Sequence, residues 1–470
     1  MCEIYYMFIL IVILNIEVSE QFSNQTMEVV QNMSNTIKGF FVKTMSAIKK
    51  KFQNLWQNTK EVIEKKKKSI KKSLINFVTK LLQAETESKN KTVLFSETQH
   101  DTENYMQGPQ LIAFHGYKVE LHTLMTSDGY LLTVHRLSLT GHIQTESKVV
   151  ILHHGMLGSS DDFILLGKSR SLPYMLSEAG YDVWLANARG NKYSKMHSAK
   201  PADAPDFWDF SFHEIGLYDL SALINYVLQI RDKVEICLIG YSMGATSALA
   251  LLSTDSIYNE ILKSVILIAP LVFMRQVKGP LKQFAGLTNN EDELIDILDP
   301  YEIAPFKRLS RELVDRFCPG DAELCENPLL FLTNGGQEFS DENIKELVLN
   351  HVPAGGSTKT ILHYIQLIKS ARFQMYDHGP QSNLKNYGTI TPPLYNLRNV
   401  TTPVVIITSL DDWLSTPSDV FNLINILPNI SHHQIIKIEN FCHIDFLWSE
   451  KAPSLVYRFI LKFLKNNFVN

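Results

Sequence analysis

Residues 234–252 read Val-Glu-Ile-Cys-Leu-Ile-Gly-Tyr-Ser-Met-Gly-Ala-Thr-Ser-Ala-Leu-Ala-Leu-Leu, and this stretch decides the fold. The apolar run at 234–239 predicts a short buried strand, and residues 245–252 predict the start of a helix. Ser242 lies between them with a glycine two residues away on each side, which is the pattern of a nucleophile elbow. The glycines permit a tight, strained turn. The alternative is a helix-starting serine between two turn glycines, and the pattern alone leaves both open.

A carboxylate follows a second apolar strand further along the chain. Residues 404–408 (Val-Val-Ile-Ile-Thr) predict a buried strand, and the next five residues read Ser-Leu-Asp-Asp-Trp. Enzymes with a nucleophile elbow place the acid after the serine and the histidine after the acid. We therefore expect Asp412 to be the acid, with Asp411 as the alternative.

A histidine follows the last predicted strand, residues 434–438. The loop after that strand reads Glu-Asn-Phe-Cys-His and ends at His443. His443 is expected to accept the Ser242 proton and to return it to the leaving alcohol, while Asp412 fixes the histidine tautomer and stabilises the imidazolium. One loop histidine among the 15 in the chain is more often a surface residue. Its place after a strand, downstream of the serine and the acid, favours the catalytic role.

Oxyanion donors are expected from two backbone amides. Residues 148–152 predict a strand that leads into His153-His154-Gly155-Met156-Leu157. The N–H of Met156 would then face the elbow, and the N–H of Met243 would supply a second donor, each worth roughly 3 to 4 kcal/mol to the transition state. The paired histidines leave a metal site as an alternative, which is disfavoured because no carboxylate or cysteine stands at ligand spacing nearby.

Eight separated motifs occur in one order between Gln110 and Pro453. They are His115-Gly116-Tyr117, Thr126-Ser127-Asp128-Gly129-Tyr130, His154 to Ser160, Gly180 to Leu185, Asn187 to Asn191, Phe207 to Phe212, Asp412 to Ser415, and His443 to Phe446. This series resembles the acid lipase family, which includes gastric lipase, lysosomal acid lipase and the insect lipase 3-like proteins.

The resemblance implies an α/β-hydrolase fold with a mostly parallel sheet and an inserted helical cap. It also implies hydrolysis of triacylglycerols or steryl esters at a lipid interface, without a cofactor or a metal. Ser242, Asp412 and His443 match the family's catalytic positions, and Met156 and Met243 match its oxyanion positions.

Three features depart from the family pattern. The elbow reads Gly-Tyr-Ser-Met-Gly, whereas the family elbow usually reads Gly-His-Ser-Gln-Gly, so the amide donor is kept but the glutamine side chain is lost. Met156 replaces a usual leucine, which we expect to alter the acyl pocket more than the rate. The family pattern does not predict the long segment ahead of Gln110.

Length and composition allow one large α/β core with an insertion. The chain has 470 residues, with 45% hydrophobic and 10% aromatic content, which is ample for a single core of usual size. We expect a signal peptide over residues 1–19, a Lys-rich amphipathic extension over 20–104, core over 105–270, a cap over 271–400, and the rest of the core over 401–470.

The cap is expected where the alternation of strand and helix stops. This interval lies between the predicted strand at 264–269 and the strand that begins near residue 403. Residues 294–298, 313–317 and 344–349 predict short helices within it, and prolines separate them. An apolar, partly mobile cover of this kind would exclude water and open at a lipid surface.

The first residues predict secretion or lysosomal delivery. Residues 4–14 form an unbroken apolar run of the length of a secretory h-region. The run is preceded by Glu3 instead of a positive charge, so an uncleaved anchor is the alternative. Five glycosylation sequons agree with a secretory route, and they begin at Asn24, Asn32, Asn90, Asn399 and Asn429.

Five cysteines are present, and Cys2 would leave with the signal peptide. Cys318 and Cys325 are seven residues apart and form a possible disulfide. Cys237 lies within the strand before the elbow and is expected to be a buried thiol. Cys442 adjoins the proposed base and is expected to serve packing.

The extension is basic although the net charge of the chain is -4. Residues 21–80 contain 13 Lys against 3 Glu, and their apolar residues recur at helical spacing. A basic amphipathic helix can lie on an anionic membrane surface, so we expect membrane docking, with a solvated pro-segment as the alternative. Nucleic-acid binding is not expected behind a signal peptide.

Other function classes remain open from sequence alone. A carboxylesterase or an acyltransferase acting on smaller or other lipid esters would share the same three residues, and a non-catalytic lipid-binding protein would share only the fold. We expect a monomer or a weak oligomer, although no motif fixes the oligomeric state.

Overall fold

The computed structural model of the protein describes residue 103 and residues 106–139, 148–231, 234–286, 299–305, 307–309, 314–315, 317–318, 320–334 and 341–467. The expected signal peptide and nearly all of the extension lie outside the described residues, as do the sequons at Asn24, Asn32 and Asn90. In the described part of the chain, no helix combines the length and the apolar character needed to cross a bilayer.

The strands of the described residues are β1 Tyr117–Met125, β2 Tyr130–Leu139, β3 Lys148–His153, β4 Asp182–Leu185, β5 Met196–His197, β6 Glu235–Tyr241, β7 Leu262–Ile268, β8 Glu302–Ile303, β9 Gly356–Ser357, β10 Val404–Ser409 and β11 Ile430–Ile436. The main sheet has the order β1-β2-β4-β3-β6-β7-β10-β11, with β5 beside β2, and β8 pairs separately with β9. Strand β2 pairs antiparallel with β1, β4 and β5. Along the sheet order from β4 through β3, β6, β7 and β10 to β11, every pairing is parallel. This confirms the predicted mostly parallel α/β sheet.

The α-helices of the described residues are α1 Gly108–Phe114, α2 Leu172–Glu178, α3 Phe212–Glu214, α4 Ser221–Ile230, α5 Met243–Thr254, α6 Ile257–Ile261, α7 Gly279–Gly286, α8 Ala322–Cys325, α9 Pro328–Asn334, α10 Glu342–Leu349, α11 Thr358–Ser370, α12 Pro380–Tyr387, α13 Pro417–Ile426, α14 Asp445–Trp448 and α15 Arg458–Asn467. Parallel strands covered on both faces read as continuous apolar runs. This explains β10, in which every residue is buried. The helix α5 is also buried, from Met243 to Ser253.

The register brings the ends of four strands, β3, β6, β7 and β10, to one edge of the sheet. His153 at the end of β3 is opposite Gly240 in β6, and Tyr241 at the end of β6 is opposite Ile268 in β7. Ile268 is in turn opposite Ile407 near the end of β10. The loops that follow these strands therefore leave the sheet close together, where open α/β sheets bind their ligands.

The predicted last strand, residues 434–438, overlaps the observed strand only at residues 434–436. The observed β11 begins at Ile430 and ends at Ile436. β11 is an edge strand, and its sequence Ile-Ser-His-His-Gln-Ile-Ile is only partly buried. A criterion based on apolar runs therefore missed its polar first half.

The segment between β7 and β10 is an insertion into the sheet topology and contains α7 to α12. The predicted helix at 344–349 lies within α10. The predicted helix at 294–298 lies outside the described residues, and the one at 313–317 is described only in part. Cys318 and Cys325 form a disulfide with an S–S distance of 2.13 Å.

Residues 351–357 of the insertion, which lie between α10 and α11, are bonded to the core. The contacts are Ala354 N–H to the Leu157 carbonyl at 2.7 Å, Lys192 N–H to the Ala354 carbonyl at 2.8 Å, Ser357 Oγ to the Trp208 carbonyl at 2.6 Å, and His351 Nδ1 to Asp161 Oδ2 at 2.9 Å. The partners in the core follow β3, β4 and β5, so this stretch is held against the edge of the sheet where the strands end.

Candidate active site

Ser242 occupies the turn between β6 and α5. Its φ of 54° and ψ of -114° lie outside the regions that non-glycine residues normally occupy. The Ser242 N–H donates to the Ile268 carbonyl at 2.9 Å, which holds the turn against β7. Strained residues of this kind cluster at active sites.

The two glycines beside Ser242 are required by close packing. A Cβ at Gly244 would lie 2.3 Å from the His153 carbonyl oxygen, and a Cβ at Gly240 would lie 2.6 Å from Ala245 N. Both contacts are with backbone atoms, which cannot rotate away as a flexible side chain does. Glycine therefore lets the turn pass close to β3 and to the start of α5.

Replacing Gly244 with alanine is expected to destabilise the fold by at least about 3 kcal/mol, because the added methyl group overlaps the backbone of β3. Gly167→Ala is a suitable control, since its Cβ would meet nothing within 4 Å although φ is +80°. The backbone conformation alone should cost that variant about 1 to 2 kcal/mol. Urea unfolding measures both changes, and equal losses would contradict the steric explanation.

The side chains of Ser242, His443 and Asp412 come together at the edge of the sheet. His443 Nε2 lies 2.8 Å from Ser242 Oγ, and His443 Nδ1 lies 2.8 Å from Asp412 Oδ2. All three residues are buried. The Tyr241 hydroxyl donates to the His443 carbonyl at 2.9 Å, so the residue before Ser242 also fixes the histidine loop. This arrangement can lower the barrier for serine attack by removing its proton.

The two neighbouring aspartates have different partners. Asp412 Oδ1 accepts the backbone N–H groups of Leu414 at 2.8 Å and Ser415 at 2.9 Å, which leaves Oδ2 facing His443. Asp411 Oδ2 instead accepts the Asn440 N–H at 2.8 Å. Asp412 is therefore the aspartate in contact with the imidazole.

The backbones of Met156 and Met243 flank Ser242. Met243 is the first residue of α5, so the helix itself provides no acceptor for its N–H. Gly155 brings the other loop close, since a Cβ there would lie 3.0 Å from a Tyr241 ring carbon and 3.2 Å from Ser242 Cβ.

The cavity beside Ser242 has a volume of about 10 Å³. This is about the room that one water molecule needs. The cavity lining includes Met156, Ser242, His443, Leu329, Leu414 and Trp448.

The paired histidines ahead of Gly155 are buried side chains bonded to the backbone. His153 Nδ1 lies 3.1 Å from the His154 carbonyl, and His154 Nδ1 lies 2.8 Å from the Gly155 carbonyl. Burial lowers the pKa of His153 to about 4 and the pKa of His154 to about 3, so both rings are neutral. Among the described residues, no group of three or more His, Cys, Asp or Glu is placed to hold a metal ion.

Comparison with known proteins places the chain in a family. Residues 148–450 match the model of the α/β-hydrolase fold, and residues 109–167 match that of the partial α/β-hydrolase lipase region. Lipase 3 of Drosophila melanogaster is 36% identical over 353 residues, which cover 74% of this chain and 90% of that protein. The chain belongs to the α/β-hydrolase lipases.

Two mammalian lipases are also similar. Gastric triacylglycerol lipase of Bos taurus is 32% identical over 371 residues, covering 76% of this chain and 91% of that protein. Lipase member M of Homo sapiens is 32% identical over 380 residues, covering 79% of this chain and 88% of that protein. These matches confirm the predicted family and enzyme class, a lipase that hydrolyses carboxylic esters as a serine hydrolase.

Two buried aspartates beside the site of this lipase were not predicted. Asp162 lines the cavity, and its Oδ1 accepts the Ser159 N–H at 3.2 Å. Burial, helped by the charge of Asp161, raises the pKa of Asp162 to about 8, so its carboxyl is protonated at neutral pH. The spacing Ser-x-x-Asp from Ser159 is a capping-box signal that points to this position.

Asp161 has the opposite electrostatic environment. Its burial favours the neutral form, but the hydrogen bond from His351 and the charge of Lys192 outweigh burial and hold the pKa of Asp161 below its usual value. Lys192 Nζ lies 2.7 Å from Asp161 Oδ2, and the Tyr193 hydroxyl donates to the same carboxylate at 2.9 Å. Asp161 therefore carries a charge that is balanced within the lipase.

Replacing Asp162 with asparagine is expected to stabilise the lipase at pH 8 relative to the wild type. The folded state keeps the carboxyl proton up to about pH 8, whereas the unfolded chain loses it near pH 4. Stability contributed by this group is thus complete below about pH 4 and falls as pH rises to about 8, by up to about 1.4 kcal/mol per pH unit. Asparagine keeps an oxygen for the Ser159 N–H without this cost.

Urea unfolding of Asp162→Asn and wild type at pH 4.5, 6 and 8 checks this expectation. The difference in unfolding free energy should grow with pH in favour of the variant. A difference that stays constant with pH would show that Asp162 is charged in the folded lipase.

The remaining residues singled out from the sequence are two glycosylation sequons and two cysteines, and none of them acts as a nucleophile. Asn399 and Asn429 are exposed. Cys237 and Cys442 are buried free thiols. Burial raises the pKa of Cys237 to about 12 and also raises the pKa of Cys442 well above its usual value. Neither thiol forms the thiolate that a cysteine nucleophile requires.

Proposed function

We propose that this lipase hydrolyses the ester bonds of triacylglycerols or steryl esters through an acyl-enzyme intermediate on Ser242. The observation that carries the proposal is the continuous hydrogen-bond chain from Ser242 Oγ through His443 to Asp412, with two contacts of 2.8 Å. The strained elbow supports the same role, since it presents a single hydroxyl to the cavity.

The reaction proceeds in two halves. Ser242 Oγ attacks the carbonyl carbon of the ester while His443 Nε2 takes the hydroxyl proton, and the imidazolium then gives that proton to the departing alcohol. Water, deprotonated by His443, attacks the acyl-enzyme in the same way and releases the fatty acid. Asp412 stabilises the imidazolium in both halves, and its own orientation is fixed by the Leu414 and Ser415 amides.

The tetrahedral intermediates require donors for their oxyanion. We assign this role to the N–H groups of Met156 and Met243, which lie on the two loops that meet at Ser242. Backbone donors tolerate any side chain, so methionine at both positions is compatible with catalysis. Donors fixed in advance stabilise the developing charge without reorganising in the transition state.

The insertion acts as a cap over the site. Leu329 and Thr333 of α9 contribute to the cavity of about 10 Å³ beside Ser242, which is far smaller than an ester lipid. We therefore expect α9 to move before substrate enters. An apolar lipid surface favours that movement, because α9 exposes Leu329 and its apolar neighbours as it moves away. The relative named gastric triacylglycerol lipase supports triacylglycerols as substrates.

A phosphonate probe and a substrate panel test this function. An alkyl p-nitrophenyl phosphonate should modify the purified protein once, at the peptide that contains Ser242, as read by mass spectrometry. Hydrolysis should be faster on emulsified triolein or cholesteryl oleate than on p-nitrophenyl acetate. Activity confined to the soluble ester would indicate a carboxylesterase, and labelling at another residue would reject the mechanism.

Secretion or lysosomal delivery is proposed on three grounds. Residues 4–14 have the character of a signal h-region, the Asn399 and Asn429 sequons are exposed, and the disulfide between Cys318 and Cys325 is typical of an oxidising compartment. Expression in a secretory host followed by glycosidase treatment should reduce the apparent mass of the secreted protein.

The Lys-rich extension is proposed to dock the enzyme on anionic lipid. Its 13 Lys against 3 Glu over residues 21–80 provide the attraction, which salt screens. Deleting residues 21–90 should weaken binding to phosphatidylserine vesicles at low salt. Unchanged binding after deletion would leave the extension as a pro-segment.

A further inference from the structure

The peptide bond between Gly155 and Met156 carries the proposed oxyanion donor. Its N–H belongs to Met156 and its carbonyl belongs to Gly155. The peptide unit is planar and trans, so the N–H and the carbonyl point in opposite directions and rotate together. A group that holds the Gly155 carbonyl therefore also sets the direction of the Met156 N–H.

His154 holds that carbonyl with one ring nitrogen. Its Nδ1 lies 2.8 Å from the Gly155 oxygen. Its other nitrogen, Nε2, lies 3.0 Å from the backbone nitrogen of Ala188. A backbone N–H can only donate, so Nε2 must be the acceptor and the single proton of the neutral ring must be on Nδ1. The Nδ1–H therefore donates to Gly155.

The surroundings of His154 preserve this state. The ring is 1% exposed, and burial, together with the neighbouring His153, lowers its pKa to about 3. The amide nitrogen of Asn191 lies 3.3 Å from Nε2 and can donate to the same acceptor. Gly158 N–H also donates to the Gly155 carbonyl, at 3.3 Å. The carbonyl is thus fixed from two sides, of which the His154 contact is the shorter.

We propose that His154 is a positioning residue for ester hydrolysis. It holds the Gly155 carbonyl, which fixes the Gly155–Met156 peptide plane and directs the Met156 N–H towards the oxyanion. This rests on the proposed function, because it presupposes a tetrahedral intermediate on Ser242. His154 does not itself touch the reacting atoms. Its effect is transmitted through one peptide unit, and the Ala188 N–H selects the tautomer that makes it possible.

Two substitutions, each with an amide group that can replace one ring nitrogen of His154, separate the roles of the two nitrogens. In His154→Asn the side-chain amide nitrogen can occupy the place of Nδ1 and donate to Gly155. In His154→Gln the amide reaches the place of Nε2 and can accept from Ala188, but no donor remains for Gly155. Ester hydrolysis should lose about 10- to 100-fold in kcat in His154→Gln with KM changed less than about threefold, since part of one oxyanion donor is lost. His154→Asn should recover most of that loss.

Binding of a transition-state analogue provides the second measurement. An alkylboronic acid forms a tetrahedral adduct on a serine Oγ and places an oxygen in the oxyanion position. Its inhibition constant should rise in His154→Gln by about the same factor as kcat/KM falls, and should return towards the wild-type value in His154→Asn. Thermal unfolding of both variants reports any general loss of structure.

Three outcomes would overturn the proposal. These are an unchanged kcat in a folded His154→Gln, a loss that falls on KM alone, or equal losses in both variants that follow their thermal stability. Phosphonate labelling of the wild type is the reference measurement. Labelling at Ser242 with an insensitive His154→Gln rejects only the role of His154, whereas no labelling at Ser242 rejects the proposed function.

Discussion

Replacing Ser242 with alanine should lower kcat for emulsified triolein by at least about 10⁴-fold, because the nucleophile, the base and the acid act as one unit. Residual turnover would come from the oxyanion donors and substrate binding alone. The change removes one oxygen from a residue that is 4% exposed, so the fold should be retained. A pH-stat assay of fatty acid release, together with thermal unfolding, measures both effects.

Ser247→Ala is the matched control for this substitution. Ser247 is a buried serine in α5, the helix that follows Ser242, and its hydroxyl donates to the Phe212 carbonyl at 3.1 Å instead of to a histidine. Its removal should cost about 1 kcal/mol of stability and leave kcat within about twofold. If Ser242→Ala kept activity comparable to Ser247→Ala, a different residue would be the nucleophile.

Replacing Asp412 with asparagine is expected to lower kcat by about 10³- to 10⁴-fold while preserving the fold. The Leu414 and Ser415 amides both donate to Oδ1, so the asparagine oxygen will remain there. Its NH₂ group will then face His443 Nδ1 in place of Oδ2. Because an NH₂ group only donates, the imidazole must carry its proton on Nε2 and can no longer accept the Ser242 proton.

Asp411→Asn distinguishes this effect from a general loss of negative charge. Asp411 contacts the Asn440 N–H and not the imidazole, and asparagine can keep that contact through its oxygen. Its kcat should stay within about threefold of the wild type. The pH profile of kcat/KM measured on both variants provides the comparison, and similar losses in the two would reject Asp412 as the partner of His443.

The strand-turn-helix unit around Ser242 could be predicted because its signal is local. An apolar run, two glycines and an apolar helix follow one another within 19 residues, 234 to 252. The acid and the histidine were located by chain order and by the strands ahead of them. Their convergence depends on β10 lying two strands from β6, which no local pattern encodes, so it was expected only from the class of enzyme.

The features that sequence reasoning missed depend on burial and on contacts distant in the chain. The polar first half of β11 forms a strand because β10 offers it a hydrogen-bonding edge. The charge of Asp161 depends on His351, which is 190 residues away in the sequence. The roles of the two nitrogens of His154 depend on Ala188, in the loop after a different strand. Composition and periodicity do not encode such contacts between distant parts of the chain.

The hydrogen bonds of residues 351–357 restrict how the proposed cap could open. Ala354 donates to Leu157 and accepts from Lys192, so this stretch is tied to the loop that carries Met156. A rigid-body movement of the whole insertion would break those hydrogen bonds and displace the loop that carries Met156. For the opening proposed above, we therefore expect the hinge to lie ahead of His351, so that α9 moves while residues 351–357 stay bonded to the core.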